Sequence, residues 1–395
     1  MTMPSRHAWF SSCLLASLPW LAGCADGDAP VAVEAPPFVF RSLELEQKSS
    51  TGQKEWSLSS PEARYELNRR LVRARRPVGL LFRNGKPSFR IQSDLAQVIN
   101  DGEKILLEGN VKLQQLTGSK LLIQGDRLRW RPDQGVLTME QRPRASDQES
   151  RISSSEAELQ QTTNELTLTG TVQLDRWSTS DRNARPDSSL RSGKAQWNLD
   201  TGLLNAKGPI LGQRRDKEGT VLEQLEGQSL EGNTLKGEIT VQAPVILRIP
   251  REKGVLRAKA TTWVFRDQII RSAKPFKADL DRTTIRGESF RADLGQSSVD
   301  VNGACEIRQP GEALKAERCR WNWSNEAVLA EGKVELRRDE NDQVTRATRL
   351  EGTVGKEGRI SFTAPGSKVQ SEVRIPTEGP EGTPEARPQP NPVSF

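Results

Sequence analysis

Apolar and polar residues alternate along a ten-residue stretch that recurs in the chain. Residues 329–338 read LAEGKVELRR, residues 106–115 read LLEGNVKLQQ and residues 166–175 read LTLTGTVQLD. A period of two over this length is typical of a strand with one buried face. Each copy has a glycine near its middle, which indicates either a need for space on the inner face or a bend.

A longer template surrounds these stretches. Counted from Trp321, apolar or small residues lie seven, five and two positions before it and seven and thirteen after it, with glycine at eleven. Ten copies fit between about residues 56 and 366, at spacings of 29 to 38 residues. Their reference positions are Tyr65, Val98, Trp130, Leu159, Trp197, Gly232, Trp263, Ala292, Trp321 and Thr353.

Each copy is predicted to form two strands. Its second half alternates strictly, whereas its first half changes parity before the reference residue, which indicates a bulge or a sharp bend. Polar turns such as RPDQG, after Trp130, separate the halves. Because two short strands cannot bury an apolar face alone, the copies must stack. The predicted fold class is all-β: an elongated twisted β-jelly roll of about ten two-strand repeats, spanning roughly 50 Å at ~4.8 Å per step.

One segment also permits a helix. Residues 61–77, PEARYELNRRLVRARRP, begin with Pro61 and contain six arginines, a pattern compatible with a helix whose basic face meets nucleic acid or a membrane. The template instead places Val72 and Ala74 inward on a strand, with Arg73 and Arg75 outward. The nine other copies favour the strand.

The N-terminal residues have the composition of an export signal. Arg6 precedes an apolar run over residues 8–22, and LAGC ends at Cys24. A run this short predicts a secretory signal and not a spanning helix. LAGC resembles the lipobox of bacterial lipoproteins, which implies cleavage before Cys24 and its acylation. The predicted domains are a signal peptide (1–23), a tether (24–37), the roll (38–366) and a disordered tail (367–395).

Few catalytic classes are compatible with the chain. Cleavage would remove His7, the only histidine, which excludes histidine-based acid–base catalysis and most zinc sites. No phosphate-binding loop or dinucleotide fingerprint is present. Hydrophobic content of 34% and charged content of 28% suit a thin, repetitive architecture. The net charge of +6 permits an anionic partner without requiring one. We expect no enzyme, no cofactor, no metal and no nucleic-acid partner.

The inward positions are apolar, and two interpretations stay open: a packed core, or a groove wide enough for acyl chains. The candidate lining residues are Tyr65, Leu107, Trp130, Leu137, Leu168, Trp197, Leu204, Ile239, Trp263, Ile270, Val301, Trp321, Val328 and Val334.

Two inward cysteines, Cys305 and Cys319, flank the turn QPGE. A disulfide is plausible in an oxidising compartment. A simple hairpin register, however, offsets the two by about three residues, beyond bonding range unless a bulge shifts them. Two buried thiols are the alternative.

Residues 40–65, FRSLELEQKSSTGQKEWSLSSPEARY, resemble the opening of LptC-type lipopolysaccharide-export proteins: a strand, a glycine turn, a tryptophan, then small residues before an aromatic (Ser60, Ala63, Tyr65). Later copies, GDRLRWRPDQGVLTM and LKAERCRWNWSNEAVLAEGKVEL, are similar to the OstA-like repeat shared by LptC, LptA and the periplasmic part of LptD. The similarity spans about residues 38–366. A typical LptC has about half as many repeats and a transmembrane helix instead of a lipobox.

The resemblance implies a periplasmic bridge component, anchored to the membrane (the inner one) by its N-terminal lipid. Its apolar groove would bind the acyl chains of lipopolysaccharide and pass them from an inner-membrane ABC transporter with LptB/LptF/LptG-like subunits toward the outer membrane. An LptA-like protein would join through edge strands. Two alternatives are an outer-membrane-associated OstA-like lipid-binding lipoprotein and a structural β-solenoid lipoprotein without ligand.

Overall fold

The computed structural model describes residues 37–373, apart from residues 119, 147–149, 178, 180, 182, 266, 341, 354–358 and 367. The signal peptide, Cys24 and most of the tether lie outside the described residues, as do residues 374–395 of the predicted tail. No helix among the described residues has the length and apolarity needed to span a membrane.

The regular secondary structure of the described residues is almost entirely strand, as the alternating sequence predicts, and every strand pairing is antiparallel. The strands are β1 (Phe38–Phe40), β2 (Leu43–Lys48), β3 (Lys54–Ser60), β4 (Glu62–Glu66), β5 (Leu71–Arg75), β6 (Val78–Arg83), β7 (Lys86–Gln92), β8 (Leu95–Ile99), β9 (Lys104–Gln115), β10 (Leu122–Arg131), β11 (Val136–Gln141), β12 (Arg144–Ser146), β13 (Ser150–Ser153), β14 (Glu156–Gln160), β15 (Glu165–Arg176), β16 (Ser188–Asn198), β17 (Leu203–Arg215), β18 (Val221–Asn233), β19 (Glu238–Val241), β20 (Val245–Ile249), β21 (Gly254–Ala258), β22 (Thr261–Val264), β23 (Ile269–Ser272), β24 (Phe276–Leu280), β25 (Thr283–Gly287), β26 (Ser289–Asp293), β27 (Ser298–Gln309), β28 (Glu312–Asn322), β29 (Ala327–Arg338), β30 (Gln343–Thr353), β31 (Ile360–Thr363) and β32 (Gln370–Glu372). Short 3-10 turns cover Leu67–Arg69, Asn100–Gly102, Pro132–Gln134 and Pro250–Glu252.

The pairings form two ladders of strands. Ladder A runs β1, β4, β5, β8, β9, β10, β11, β14, β15, β16, β17, β18, β19, β22, β23, β26, β27, β28, β29, β30, β31. Ladder B runs β2, β3, β6, β7, β9, β10, β12, β13, β15, β16, β17, β18, β20, β21, β24, β25, β27, β28, β29, β30, β32. The long strands belong to both ladders and change register where they pass between them, so a line of bulges joins the ladders along one side.

The template follows the register of ladder A. Tyr65 pairs with Val72, Val72 with Val98, and Val98 with Ile105. A reference residue and the residue seven positions after it are therefore opposite each other in one hairpin. The segment 61–77 forms β4 and β5, which confirms the strand and rules out the helix. Each copy adds two strands to each ladder, so the 21 strands of a ladder span roughly 100 Å at ~4.8 Å per step. The predicted length of roughly 50 Å is too short because it counted one strand step per copy instead of two.

The last copy is shifted by one residue. Val328 pairs with Gly352, and Gly352 with Ile360, so Gly352 and not Thr353 occupies the reference position. β32 pairs with β30 through Gln370, so strand pairing extends past residue 366, where the repeat was expected to end.

The mid-strand glycines make the bends between ladders. Gly332 has φ +77 and is followed by Lys333 at φ +48, in the register shift of the β28–β29 pair. A side chain on Gly332 would meet the carboxylate of Glu317, whose own side chain is largely exposed. Gly332 therefore lies at the outer corner, where glycine permits a left-handed backbone, and not on the inner face.

Inward side chains from both ladders form one hydrophobic cluster, which extends from Trp56 to Leu350. The structure joins Cys305 and Cys319 by a disulfide, with Cα atoms 6.0 Å apart. Cys305 pairs with Ala316 and Cys319 with Val301, on opposite sides of the bulge in the β27–β28 pair. The three-residue offset of a simple hairpin register therefore remains, and the two thiols come within bonding range across the bulge.

Arginines on the outer faces pair with acidic residues of neighbouring strands. Arg73 contacts Glu66, and Arg129 contacts Glu140. Such partly exposed pairs contribute about 0.2–1 kcal/mol each. These arginines lie on a solvated face, which fits the alternation of the sequence.

Candidate functional site

A cavity of about 260 Å³ lies between the two ladders in the C-terminal half of the roll. Its volume exceeds the ~150 Å³ cavity that holds benzene and approaches the ~300 Å³ lower end of small-molecule pockets. The lining residues are Arg214, Leu222, Glu223, Leu247, Ile249, Arg251, Glu252, Leu256, Ile270, Phe276, Ala278, Leu280, Ile285, Phe290, Ala292, Leu294, Val299, Trp321 and Trp323. Most are aliphatic or aromatic, so the cavity suits a hydrocarbon ligand.

The few charged groups of the cavity come from ladder B. The Arg214 guanidinium donates two hydrogen bonds to the carboxylate of Glu223, whose side chain is 8% exposed. Arg251 and Glu252 belong to the exposed turn between β20 and β21. A bidentate pair keeps the buried carboxylate satisfied. The polar groups therefore lie together at one side of an otherwise apolar space.

The cavity opens on the side away from the bulges, where hairpin turns form a free rim on each ladder. Leu294 and Trp323 lie just after the ends of β26 and β28, on the rim of ladder A. Ile249 and Leu280 end β20 and β24, on the rim of ladder B. Because residues from both rims line one cavity, its mouth lies between the rims.

The N-terminal half of the roll is closed between the same rims. Trp56 of ladder B packs edge-to-face on Trp130 of ladder A, with ring centroids 5.4 Å apart and planes at 71°. Gly102, in a rim turn of ladder A, lies against the Trp56 ring so closely that a Cβ would come within 3.1 Å of it. The indole N–H of Trp56 donates to Gln47 at 2.7 Å. Trp130 is fully buried as a result.

Polar contacts also cross the rims of the closed half. The Gln161 amide donates to the Phe82 carbonyl oxygen at 3.0 Å. Arg83 pairs with Asp200 at 2.6 Å, and Asn164 donates to the other oxygen of Asp200 at 2.7 Å. Phe82 and Arg83 belong to ladder B, whereas the other three residues lie in rim turns of ladder A. We call the Arg83–Asp200–Asn164 group the rim latch.

Asp200 is held in its charged form by the rim latch. Burial acts to raise the pKa of Asp200, but hydrogen bonds from Asn164 and Arg83, with the charge of Arg83, outweigh burial and leave the pKa below its usual range. The carboxylate therefore stays ionised at neutral pH and keeps both partners.

Such bridges are not found around the cavity. Over residues 214–323, no hydrogen bond or ion pair among the described residues joins the two rims. The apolar side chains that pack on the core while staying partly exposed also concentrate in this half. They include Leu204, Ile239, Ile249, Leu256, Ala258, Trp263, Ala278, Leu280, Ala292, Leu294, Trp323, Ile360 and Phe362. The roll is thus closed at one end and open at the other.

The structure distributes the fourteen candidate lining residues over the whole interior. Ten are buried in the hydrophobic cluster, and Leu204, Ile239 and Trp263 pack against it while partly exposed. Tyr65 is half-buried, pairs with Phe38 near the N-terminal end and is not part of the cluster. Of the fourteen, Ile270 and Trp321 line the cavity. Leu107, Trp130, Leu137, Leu168, Trp197, Leu204, Ile239, Val301, Val328 and Val334 do not line it, and Trp263 borders a much smaller neighbouring void with Ile270.

Sequence reasoning missed the rim residues of the cavity, among them Leu294 and Trp323. A signal for them exists two positions after the reference residue. The last three complete copies have Phe265, Leu294 and Trp323 there, whereas earlier copies include polar residues such as Gln161. Large apolar residues at a turn, where polar residues are expected, indicate a surface that faces something other than water.

No group of three or more metal-ligating side chains lies together in the part of the chain that the structure describes. The lining of the cavity offers no histidine or cysteine. The arrangement is suited to holding an apolar molecule, and its few charged groups are already paired or lie at the mouth.

Residues 13–142 match the family model described as lipopolysaccharide-assembly, LptC-related. Among curated proteins, none matches the chain. The family match supports an LptC-type lipopolysaccharide-assembly protein, and its described part covers β1 to β11, the closed end of the roll. The cavity lies beyond the matched residues, in later copies of the same repeat.

Proposed function

We propose that this chain is a periplasmic bridge component that binds acyl chains of lipopolysaccharide in the cavity and passes them toward the outer membrane. One observation carries the proposal: the apolar, ligand-sized cavity opens between the rims of a roll whose first third matches LptC-related proteins. Binding a hydrocarbon chain in the cavity is favoured by roughly 25 cal/mol for each Å² of apolar surface that is removed from water.

The ends of the roll favour the bridge role. Among the described residues β1 pairs only with β4, which leaves one edge of ladder A unpaired there, and Phe38 and Val39 on it are 58% and 62% exposed. At the other end, β31 and β32 are the last strands of their ladders. Unpaired edges add strands from partners readily. On this proposal, LptF/LptG-like subunits of an ABC transporter with an LptB-like ATPase meet one end, and an LptA-like protein meets the other.

The anchor and the division of labour belong to the same proposal. Acylated Cys24 would hold the chain at the membrane, the inner one in this scheme, through two or more acyl chains. ATP hydrolysis would occur in the transporter, so this chain would bind and release lipid without catalysis.

Photo-crosslinking in cells tests ligand binding. A photoreactive amino acid at Ala292, which lines the cavity, should give a lipopolysaccharide adduct. The matched control is Arg291 on the same strand, which is exposed on the outer face and should give none. Adducts at neither position, with both variants folded, would contradict the proposal and favour a structural solenoid without ligand.

The choice of membrane is a separate question. Co-purification with a membrane subunit of an ABC transporter is expected for the bridge component. Recovery with outer-membrane proteins and without the transporter would favour the outer-membrane OstA-like lipoprotein instead.

A further inference from the structure

In the cavity half, the two ladders are connected at the corner, the line of bulges that joins them, and not across their rims. In the β27–β28 pair, strand pairing stops at Asn302 and resumes at Cys305. Gly303 and Ala304 between them adopt consecutive left-handed conformations. A bend that lacks ladder hydrogen bonds holds the angle between two strand segments only loosely. A further constraint is therefore needed to keep the two rims at one separation.

The Cys305–Cys319 disulfide crosses the corner. Cys305 lies in the ladder B segment of β27, where it pairs with Ala316. Cys319 lies in the ladder A segment of β28, where it pairs with Val301. Both cysteines are buried in the hydrophobic cluster, at 1% and 5% exposure. The bond therefore ties one ladder to the other on the inner side of the bend.

The disulfide lies behind the cavity, on the side opposite its mouth. One row of paired residues runs from Cys319 through Val301 to Phe290, whose side chain lines the ladder A wall. On ladder B, Ile285 lines the other wall and pairs with Ile307, two positions after the second cysteine. A change in the bend at the disulfide would therefore move both walls. The rims lie farthest from the corner and would move most.

The repeat provides a comparison for this corner. The cysteines lie thirteen positions after one reference residue and two before the next, and Val172 and Ala195 occupy the same positions in β15 and β16. These two side chains can pack against each other but cannot bond. In the turns beside β15 and β16, Asn164 and Asp200 of the rim latch join the rims instead. The disulfide thus occurs at the corner of the half in which no such bridge is found among the described residues.

We infer that the Cys305–Cys319 disulfide is a positioning element: it fixes the separation of the two rims at the cavity and so keeps a ligand-sized mouth in the half that no rim bridge closes. The inference concerns the geometry of the cavity and holds for any apolar ligand, so it does not depend on lipopolysaccharide being that ligand. A cavity held in one arrangement binds more tightly, because no binding free energy is used to select the competent arrangement.

Cys305→Val combined with Cys319→Ala tests the inference, because it removes the bond and supplies the pair found at the β15–β16 corner. Nitroxide labels on genetically encoded amino acids at Gln296 and Arg282, in exposed turns of opposite rims, report the distance across the mouth. Well below the unfolding temperature, we expect the distribution of this distance to broaden in the double variant. The affinity for 1-lauroylglycerol, a single acyl chain on a glycerol headgroup, should fall about 3- to 10-fold. A disulfide that only stabilised the fold would lower thermal stability when removed and leave both measurements unchanged.

Labels at Asp133 and Lys86, at exposed rim positions of the closed half, are the matched control, since their distance distribution should stay narrow in both proteins. The unsubstituted protein gives a measurement that does not depend on the variant folding: its distribution at the cavity should be as narrow as that in the closed half. A broad distribution there would overturn the inference, as would a folded double variant with an unchanged distribution or an unchanged affinity. A narrow distribution in a protein that binds no 1-lauroylglycerol would overturn the proposed function and leave the inference standing.

Discussion

The rim latch shows, at the level of single residues, what holds the closed half together. The Arg83 and Asp200 side chains are 34% and 43% exposed, so their ion pair contributes at most about 1 kcal/mol. Burying a large side chain such as Phe89 or Leu81 contributes roughly 1.5–3 kcal/mol, and both are fully buried in the closed half. Apolar packing therefore contributes most of the stability of the closed half. The rim latch contributes little energy but joins the end of β6 to two particular rim turns of ladder A.

Asp200→Asn should lower the free energy of unfolding by less than about 1 kcal/mol at pH 7. Because the pKa of Asp200 is depressed in the folded protein, its contribution is present above the unfolded value of about 3.9 and is lost as the pH falls through the folded value. The difference between the two proteins in urea unfolding should be constant from pH 8 to pH 5 and shrink below about pH 4.

Asp133 provides the control for this pH dependence. It lies in another rim turn of ladder A and makes no ion pair or side-chain hydrogen bond among the described residues. Asp133→Asn should change stability little at any pH. A stability difference for Asp200→Asn that grows on acidification would contradict the stabilising role of the ionised carboxylate.

At the scale of elements, a bulge divides each long strand into two segments, one in each ladder. Gly303 and Ala304 in β27 and Gly332 and Lys333 in β29 adopt consecutive left-handed conformations where the register shifts. Each such pair redirects the strand without breaking the alternation of inward residues on either side. The glycine in the recurring stretch is therefore required by backbone conformation.

Gly332→Ala should lower the free energy of unfolding by about 1–2 kcal/mol, because a left-handed conformation costs an alanine roughly that much. The new methyl group would also displace the Glu317 carboxylate from its contact with Lys333. Gly193, at the bulge of β16, is the matched control: its φ is ordinary, and a Cβ there would meet nothing closer than 3.6 Å. Gly193→Ala should stay within about 0.5 kcal/mol in the same urea titration. Equal effects of the two substitutions would exclude backbone conformation as the cause.

The strands can be predicted from the sequence because the spacing of the template is the spacing of paired residues across one hairpin. Val72, Leu137 and Val328 lie opposite Tyr65, Trp130 and Trp321, the reference residues seven positions before them. In the final copy the paired residues Gly352 and Ile360 are eight positions apart instead of seven, so the template places the reference residue one position too late.

The position of the cavity did not follow from the template. It depends on how far apart the two rims lie, and contacts such as Arg83 with Asp200 join residues 117 positions apart. No local periodicity records a contact of that range. The apolar turn residues Leu294 and Trp323 were the available signal, and they lie outside the strands from which the template was built.

At the scale of the whole described body, the two halves of the roll differ in structure. The closed end contains the exposed edge strand β1 and the LptC-related match, whereas the cavity lies in the later copies. The later copies of the repeat thus extend both ladders, and their interior contains a cavity where that of the first copies is filled by packed side chains. On the proposed function, the edge strand at one end would serve docking and the cavity in the later copies would serve lipid binding.

Filling the cavity tests this division. Ala278 lines the cavity and is partly exposed, so Ala278→Phe should occupy ligand space, lower the affinity for 1-lauroylglycerol at least about tenfold and leave thermal stability unchanged or raised. Ala74, 1% exposed in the closed half, has no such space. Ala74→Phe should lower the free energy of unfolding by about 1–3 kcal/mol through overpacking. Unchanged binding by Ala278→Phe would place the lipid elsewhere, and a stable Ala74→Phe would mean that the N-terminal half also has room for a ligand.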